Sequence, residues 1–253
     1  MNQQIIIANQ LVSYFKQGVE NRGETLLFLH GWRSSKEVWN GVANKLTSQS
    51  ANKLVYALDF PGFGQSPAPK GDWGVEDYAN LVAEFICKLD LKNVVVIGHS
   101  FGGRVGIKLA SSRIDLVKKL ILVDAAGFAS SSAKKSTFGF AAKIVKPIFK
   151  PKFMQGLRKK IYKQIGAEDY VATPELQKIF VKTVNEDLTE NMKRILQPTL
   201  IIFGENDKDT PTSSGKKMHS LIPNSKFIIL PAAGHFSYLD KPGEFVKIIN
   251  EFI

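Results

Sequence analysis

The chain has 253 residues, 44% hydrophobic and 23% charged, with a formal net charge of +11. That length suits one large α/β domain, or one domain carrying an insertion, and the composition excludes wholesale disorder. The single cysteine, Cys87, excludes an intrachain disulfide and a cysteine metal cluster and agrees with a reducing, cytoplasmic setting.

The first residues, MNQQIIIANQ, have no basic n-region and only a short apolar run, so they do not read as a signal peptide. No apolar stretch is long enough to span a bilayer. Val12 to Phe15 reads as an early strand, pairing with Ile5 to Ile7. Apolar runs follow at Leu26–Leu29, Leu54–Leu58, Val94–Ile97, Leu120–Val123, Leu200–Phe203 and Phe227–Leu230. Each is short and apolar throughout, which predicts strands buried on both faces, as in a parallel sheet. Helical patterns near 75–90, 102–112, 213–221 and 242–252 lie between or after them. Strands alternating with helices predict an open, doubly wound α/β fold with a mostly parallel sheet. Ligands of such sheets sit beyond the carboxyl ends of the strands, so functional residues should follow the apolar runs.

From about Gly127 to Gln197 the alternation stops, leaving helical patterns and three prolines (Pro147, Pro151, Pro174). The expected organisation is therefore a core of residues 1–126 and 198–253 and a helical insertion over 127–197. Lys134 to Lys163 holds ten Lys or Arg and no acid, interleaved with Phe138, Phe140, Phe149, Phe153 and Tyr162. Three roles fit: a solvated face whose aromatics pack inward, peripheral contact with an anionic membrane surface, or recruitment of an anionic substrate. No nucleic-acid-binding module accompanies the charge, which argues against that partner. Pro174 to Ile195 reads as one or two ordinary charged helices.

Gly98-His99-Ser100-Phe101-Gly102 follows the run Val94–Ile97 and precedes a helix pattern. It fits G-x-S-x-G, a tight strand-to-helix turn that needs small residues two positions either side of a strained serine. The helix directs its positive end at that serine. A serine hydroxyl needs a base, and the base needs an orienting acid. Of the four histidines, His99 adjoins Ser100 and should point away across the turn, while His219 lies in a surface helix pattern. His235, in the loop after Phe227–Leu230, is the best base. Asp207, after Leu200–Phe203, is the favoured acid; Asp209, Glu205 and Asp124 are rivals at the same sheet edge. Oxyanion donors are expected from the backbone N–H groups of Phe101 and of Trp32, in His30-Gly31-Trp32 after Leu26–Leu29. His30 then braces the loop.

These pieces, with Asp59-Phe60-Pro61-Gly62-Phe63-Gly64-Gln65-Ser66, Gly204 to Pro211 and Gly234-His235, make the chain resemble the α/β-hydrolase superfamily. They run in that family's order and span nearly the whole chain. The resemblance implies the α/β-hydrolase fold, a Ser100–Asp207–His235 triad, no cofactor and no metal, and a cap formed by the insertion. Haloalkane and epoxide hydrolases of the family carry Asp at the nucleophile position, which here is Ser100. Carbon–carbon hydrolases usually carry Trp after the histidine, which here is Phe236. Ser100-Phe101-Gly102-Gly103-Arg104 resembles a segment of the menaquinone-pathway lyase, which makes Arg104 a candidate substrate contact. The expectation is a serine hydrolase acting on a small carboxylic ester or related acyl substrate, apolar or anionic. The alternative is a triad-based lyase or C–C hydrolase acting on a small anionic substrate. Asp59 to Ser66 is expected to be a structural turn in which Gly62 and Gly64 permit tight geometry.

Overall fold

A computed structural model describes residues 2–19, 23–49, 53–129 and 173–253. The chain divides into two compact units, Met1–Gly127 with Asp187–Ile253, and Phe128–Glu186.

The first unit is built on one eight-stranded sheet. Its strands are β1 (Asn2–Ile7), β2 (Gln10–Gly18), β3 (Thr25–Leu29), β4 (Leu54–Leu58), β5 (Val94–His99), β6 (Lys119–Val123), β7 (Thr199–Gly204) and β8 (Ser225–Leu230). The spatial order is β1-β2-β4-β3-β5-β6-β7-β8. β2 runs antiparallel to both neighbours, and β4, β3, β5, β6, β7 and β8 are mutually parallel. The hairpin pairs Ile5 with Val12 and Ile7 with Gln10, as the sequence anticipates. β3, β4 and β5 are buried at every position, the signature of strands covered on both faces.

The helices of this unit are α1 (Asn40–Gln49), entered through a 3-10 turn at Lys36–Trp39, then α2 (Val75–Lys88) and α3 (Phe101–Ser112). α1 has no counterpart in the sequence expectations. Its buried residues are Val42, Ala43 and Leu46, too few to mark a clear stripe. With α4 kept for the described helix of the second unit, the rest are α5 (Thr189–Lys193), α6 (Thr212–Leu221), α7 (Ser237–Asp240) and α8 (Pro242–Phe252). α1 packs on α8, and α3 on α2 and α5. One core runs through Phe28, Trp39, Val95, Ile97, Ile121, Ile202, Tyr238 and Phe245. β8 departs from the expected double burial: it is the edge strand, and Ile229 stays 37% exposed.

In the second unit the described residues contain a 3-10 turn at Pro174–Leu176 and α4 (Gln177–Asn185), with Ile179, Phe180 and Thr183 buried. Lys134 to Lys163, on which the three roles of the basic stretch were weighed, lies outside the described residues. Among the described residues no helix is long and apolar enough to cross a membrane.

Strand register sets the site. Gly98 of β5 lies opposite Leu29 of β3, and His99 opposite Val123 of β6. Gly31 and Asp124 therefore leave the sheet on either side of Ser100. Gly204 of β7 faces Leu230 of β8, so the loops holding Asp207 and His235 leave the same edge together.

Candidate active site

Ser100 stands between β5 and α3 with φ 50 and ψ −109, a left-handed conformation that a non-glycine residue holds only under strain. The turn closes because its flanking residues lack side chains. A Cβ on Gly98 would lie 2.4 Å from the Gly102 carbonyl oxygen, and one on Gly102 only 2.3 Å from that of Leu29. The Ser100 N–H donates to the Val123 carbonyl at 3.1 Å, and its own carbonyl accepts from Ala126 N at 3.1 Å. The hydroxyl-bearing residue is thus pinned to β6, with α3 beginning at its back.

His235 and Asp207 meet across the loops after β8 and β7. His235 Nδ1 lies 2.8 Å from Asp207 Oδ2, and the Asp207 side chain is fully buried. Asp207 Oδ1 accepts from the N–H groups of Asp209 (2.8 Å) and Thr210 (3.0 Å), and Oδ2 also accepts from Thr210 Oγ1 (2.6 Å). Burial works to raise the Asp207 carboxyl, but the bonds from His235 and Thr210 outweigh it and bring it below the usual range. For His235, burial works to lower the imidazole, and the Asp207 carboxylate outweighs it and raises it. With Nδ1 held by Asp207, Nε2 is the nitrogen left for proton transfer.

The rival acids have other partners. Asp209 is exposed and gives its N–H to Asp207. Glu205 accepts from Ala232 N at 3.0 Å. Asp124 accepts from Gly204 N, Ser237 N and Ser237 Oγ. Asp207, Asp209 and His235 offer ligand atoms within 4.8 Å of one another. A metal ion there would have to displace hydrogen bonds that already occupy both oxygens of Asp207.

Trp32 and Phe101 are neighbours, their rings meeting edge to face at 5.3 Å between centroids. His30 is fully buried, its ring edge to face with those of Phe60 and Phe63. Its Nδ1–H donates to the Gly31 carbonyl at 2.7 Å and its Nε2 accepts from Phe60 N–H at 3.0 Å, tying the loop after β3 to the loop after β4. Burial lowers its pKa to about 4, so it stays neutral. The loop after β4 is anchored by Asp59, whose buried carboxylate accepts from Lys36 Nζ (2.8 Å), Lys36 N (2.7 Å) and Gln65 N (2.9 Å). Arg104 lies in the first turn of α3 and is 4% exposed.

Three features escape the sequence. Thr210 touches both Asp207 and His235, its Oγ1 lying 3.2 Å from His235 Nδ1. His99 does not merely point away from Ser100: its Nε2 donates to the His235 carbonyl at 2.8 Å. Asp124 binds two loops rather than one histidine. A hydroxyl three residues after the acid is the one signal that could have flagged Thr210.

Comparisons with known proteins agree with this architecture. Residues 26–248 match the model of the "Alpha/beta hydrolase family". The chain is 26% identical to a sn-1-specific diacylglycerol lipase of Mus musculus, over 90% of this chain and 80% of that protein. It is 22% identical to a 2-hydroxy-6-oxo-2,4-heptadienoate hydrolase of Pseudomonas putida, over 91% of each. The crystal structure of a membrane phospholipase A, described as a bacterial virulence factor, superposes with a TM-score of 0.79 at 25% identity, covering 100% of this chain and 85% of that one. With the family model matched over nearly its whole length, the chain belongs to the alpha/beta hydrolase family and is an enzyme of that class.

Proposed function

We propose that the protein is a serine hydrolase that cleaves a carboxylic ester or related acyl bond through Ser100, His235 and Asp207. The observation that carries this reading is the 2.8 Å bond between His235 Nδ1 and Asp207 Oδ2, at the same sheet edge as the strained Ser100 turn. Ser100 Oγ attacks the carbonyl carbon while His235 Nε2 takes its proton. Asp207 holds the imidazole in one tautomer and stabilises the imidazolium. The backbone N–H groups of Trp32 and Phe101 take the oxyanion. His235 then returns the proton to the leaving alkoxide, and a water activated by the same nitrogen hydrolyses the acyl-enzyme.

An apolar acyl chain suits the surroundings, since Phe236, whose ring lies 5.4 Å from that of His235, stays 43% exposed. The ten basic residues of Lys134 to Lys163 favour contact with anionic lipid, and vesicles of anionic and neutral phospholipid test it by co-sedimentation. The similarity to the Pseudomonas putida hydrolase supports a second reading, C–C bond hydrolysis or a lyase reaction on a small anionic substrate with Arg104 as a contact.

The test is hydrolysis of p-nitrophenyl esters of increasing chain length by wild type and Ser100→Ala. Turnover lost by about 10³-fold or more in the variant supports the ester hydrolase. A folded wild type inert on the whole series removes that reading and moves the search to small anionic substrates.

A further inference from the structure

We propose that Asp124 is a positioning residue for the Asp207–His235 pair, holding the loop after β7 and the loop after β8 in register from the end of β6. It is fully buried and turns out of the sheet with φ 44. Its Oδ1 accepts from Gly204 N at 2.7 Å, where the chain leaves β7 towards Asp207. Its Oδ2 accepts from Ser237 N at 3.1 Å and Ser237 Oγ at 2.6 Å, two residues beyond His235. Its carbonyl oxygen is 2.9 Å from Thr210 Oγ1, the hydroxyl that touches both Asp207 and His235. Its own N–H donates to Ile202 O at 2.8 Å, fixing the residue to β7.

A carboxylate is costly to bury unless donors surround it. Among the described residues, the donors to its side chain are Gly204, which ends β7 before the Asp207 loop, and Ser237, which begins α7 after the His235 loop. A carboxylate accepts on both oxygens, whereas an amide with its oxygen on Gly204 N turns its NH₂ towards Ser237, where the hydroxyl can accept but the N–H loses its partner. Electrostatics act in the same place. Asp207 and Asp209 lie on the loop after β7, and His235 and Tyr238 on the segment after β8. His99, at the end of β5, has its ring 4.8 Å from that of His235. Burial pushes the Asp124 carboxyl up to about 7, and its charge favours the His235 imidazolium.

The inference rests on the serine hydrolase reading. Its test uses the full chain and two readouts, ester kinetics and the NMR titration of the His235 ring. In Asp124→Asn, kcat is expected to fall roughly tenfold with KM within about twofold, and the His235 midpoint to move to lower pH. Wild-type kcat in a folded variant overturns the proposal, and so does an unmoved midpoint. Should Asp124→Asn fail to fold, Ser237→Ala keeps the Ser237 N–H and removes the 2.6 Å hydroxyl bond. It is expected to lower kcat about threefold and shift the midpoint the same way, and wild-type values for both overturn the idea. Equal ester turnover by wild type and Ser100→Ala instead removes the hydrolase reading, while the His235 midpoint still decides the role of Asp124.

Discussion

The Nε2–H of His99 donates to the carbonyl oxygen of His235 at 2.8 Å, so the residue before Ser100 grips the backbone of the histidine that would serve it. The ring is fully buried between Trp39, Tyr238 and Phe236, and its Nδ1 has no hydrogen-bond partner among the described residues. His99→Phe keeps the ring and removes the bond. The bared carbonyl costs stability, and loss of the orphaned nitrogen offsets part of it, leaving about 1 kcal/mol of destabilisation. Because the His235 loop loosens, kcat on an ester substrate should fall roughly tenfold with KM nearly constant. Wild-type kcat in a folded His99→Phe protein would sink this role.

Buried histidines also set how stability follows pH. Burial lowers His30 to about 4 and His99 to about 3, against an ordinary value of 6.5. Their folded pKa values are depressed, so the unfolded chain binds the extra protons and stability falls as pH drops below 6.5. Asp124 works the other way. Its folded value, raised from 3.8 to about 7, lets the native state bind the extra proton over the same range. Between about pH 4.5 and 6 the difference is about one proton, or roughly 1.4 kcal/mol of stability lost per pH unit. Urea unfolding across that window should show this slope in wild type, a nearly flat line in His99→Phe and about twice the slope in Asp124→Asn. Identical slopes in all three would contradict the account.

Lys36 and Asp59 form a salt bridge at 2.8 Å with both side chains wholly buried. Such pairs add little net stability, but breaking one leaves a charge without its partner. Lys36→Met should therefore cost roughly 3–5 kcal/mol in equilibrium unfolding. Lys36→Met with Asp59→Asn should recover part of that loss. Equal losses for the single and double variants would show that the stranded Asp59 carboxylate is not responsible, leaving packing and the second Lys36 contact, to Glu37 at 2.8 Å.

Two glycines make a contrast. A Cβ on Gly102 would meet the Leu29 and His30 carbonyl oxygens at 2.3 and 2.8 Å, and backbone cannot swing aside. Gly102→Ala should destabilise by about 1–3 kcal/mol and displace the loop bearing Trp32. Gly41 sits in α1 with nothing within 4 Å of its Cβ position. Gly41→Ala should stabilise by about 0.5–1 kcal/mol. Thermal melts of the pair decide both signs.

The parallel strands were legible because interior strands such as Leu26–Leu29 and Val94–Ile97 are apolar at every position, a pattern few other settings produce. Asn40–Gln49 was not, since Gly41 and polar residues outnumber the three it buries. Nor was the exposure of Ile229: composition reveals a strand, but only the sheet order reveals that β8 is at the edge. Within the site, the G-x-S-x-G spacing located the Ser100 turn because its sterics demand particular residues. The sequence favoured Asp207 over Asp209, Glu205 and Asp124 by its place after β7, but it held no measure of which side chain reaches His235. All four leave one sheet edge, and loop geometry alone decides which carboxylate meets His235.

The sheet order also governs when this site comes into being during synthesis. Ser100 is placed by β5 and β6, Asp207 by β7, and His235 by β8, which among the described residues pairs with β7 alone. On the proposed triad, a nascent chain still held by the ribosome before residue 235 has emerged would hold Ser100 without His235. Ester turnover by ribosome-bound chains stalled at successive lengths would then appear in one step, reporting the moment the last strand docks.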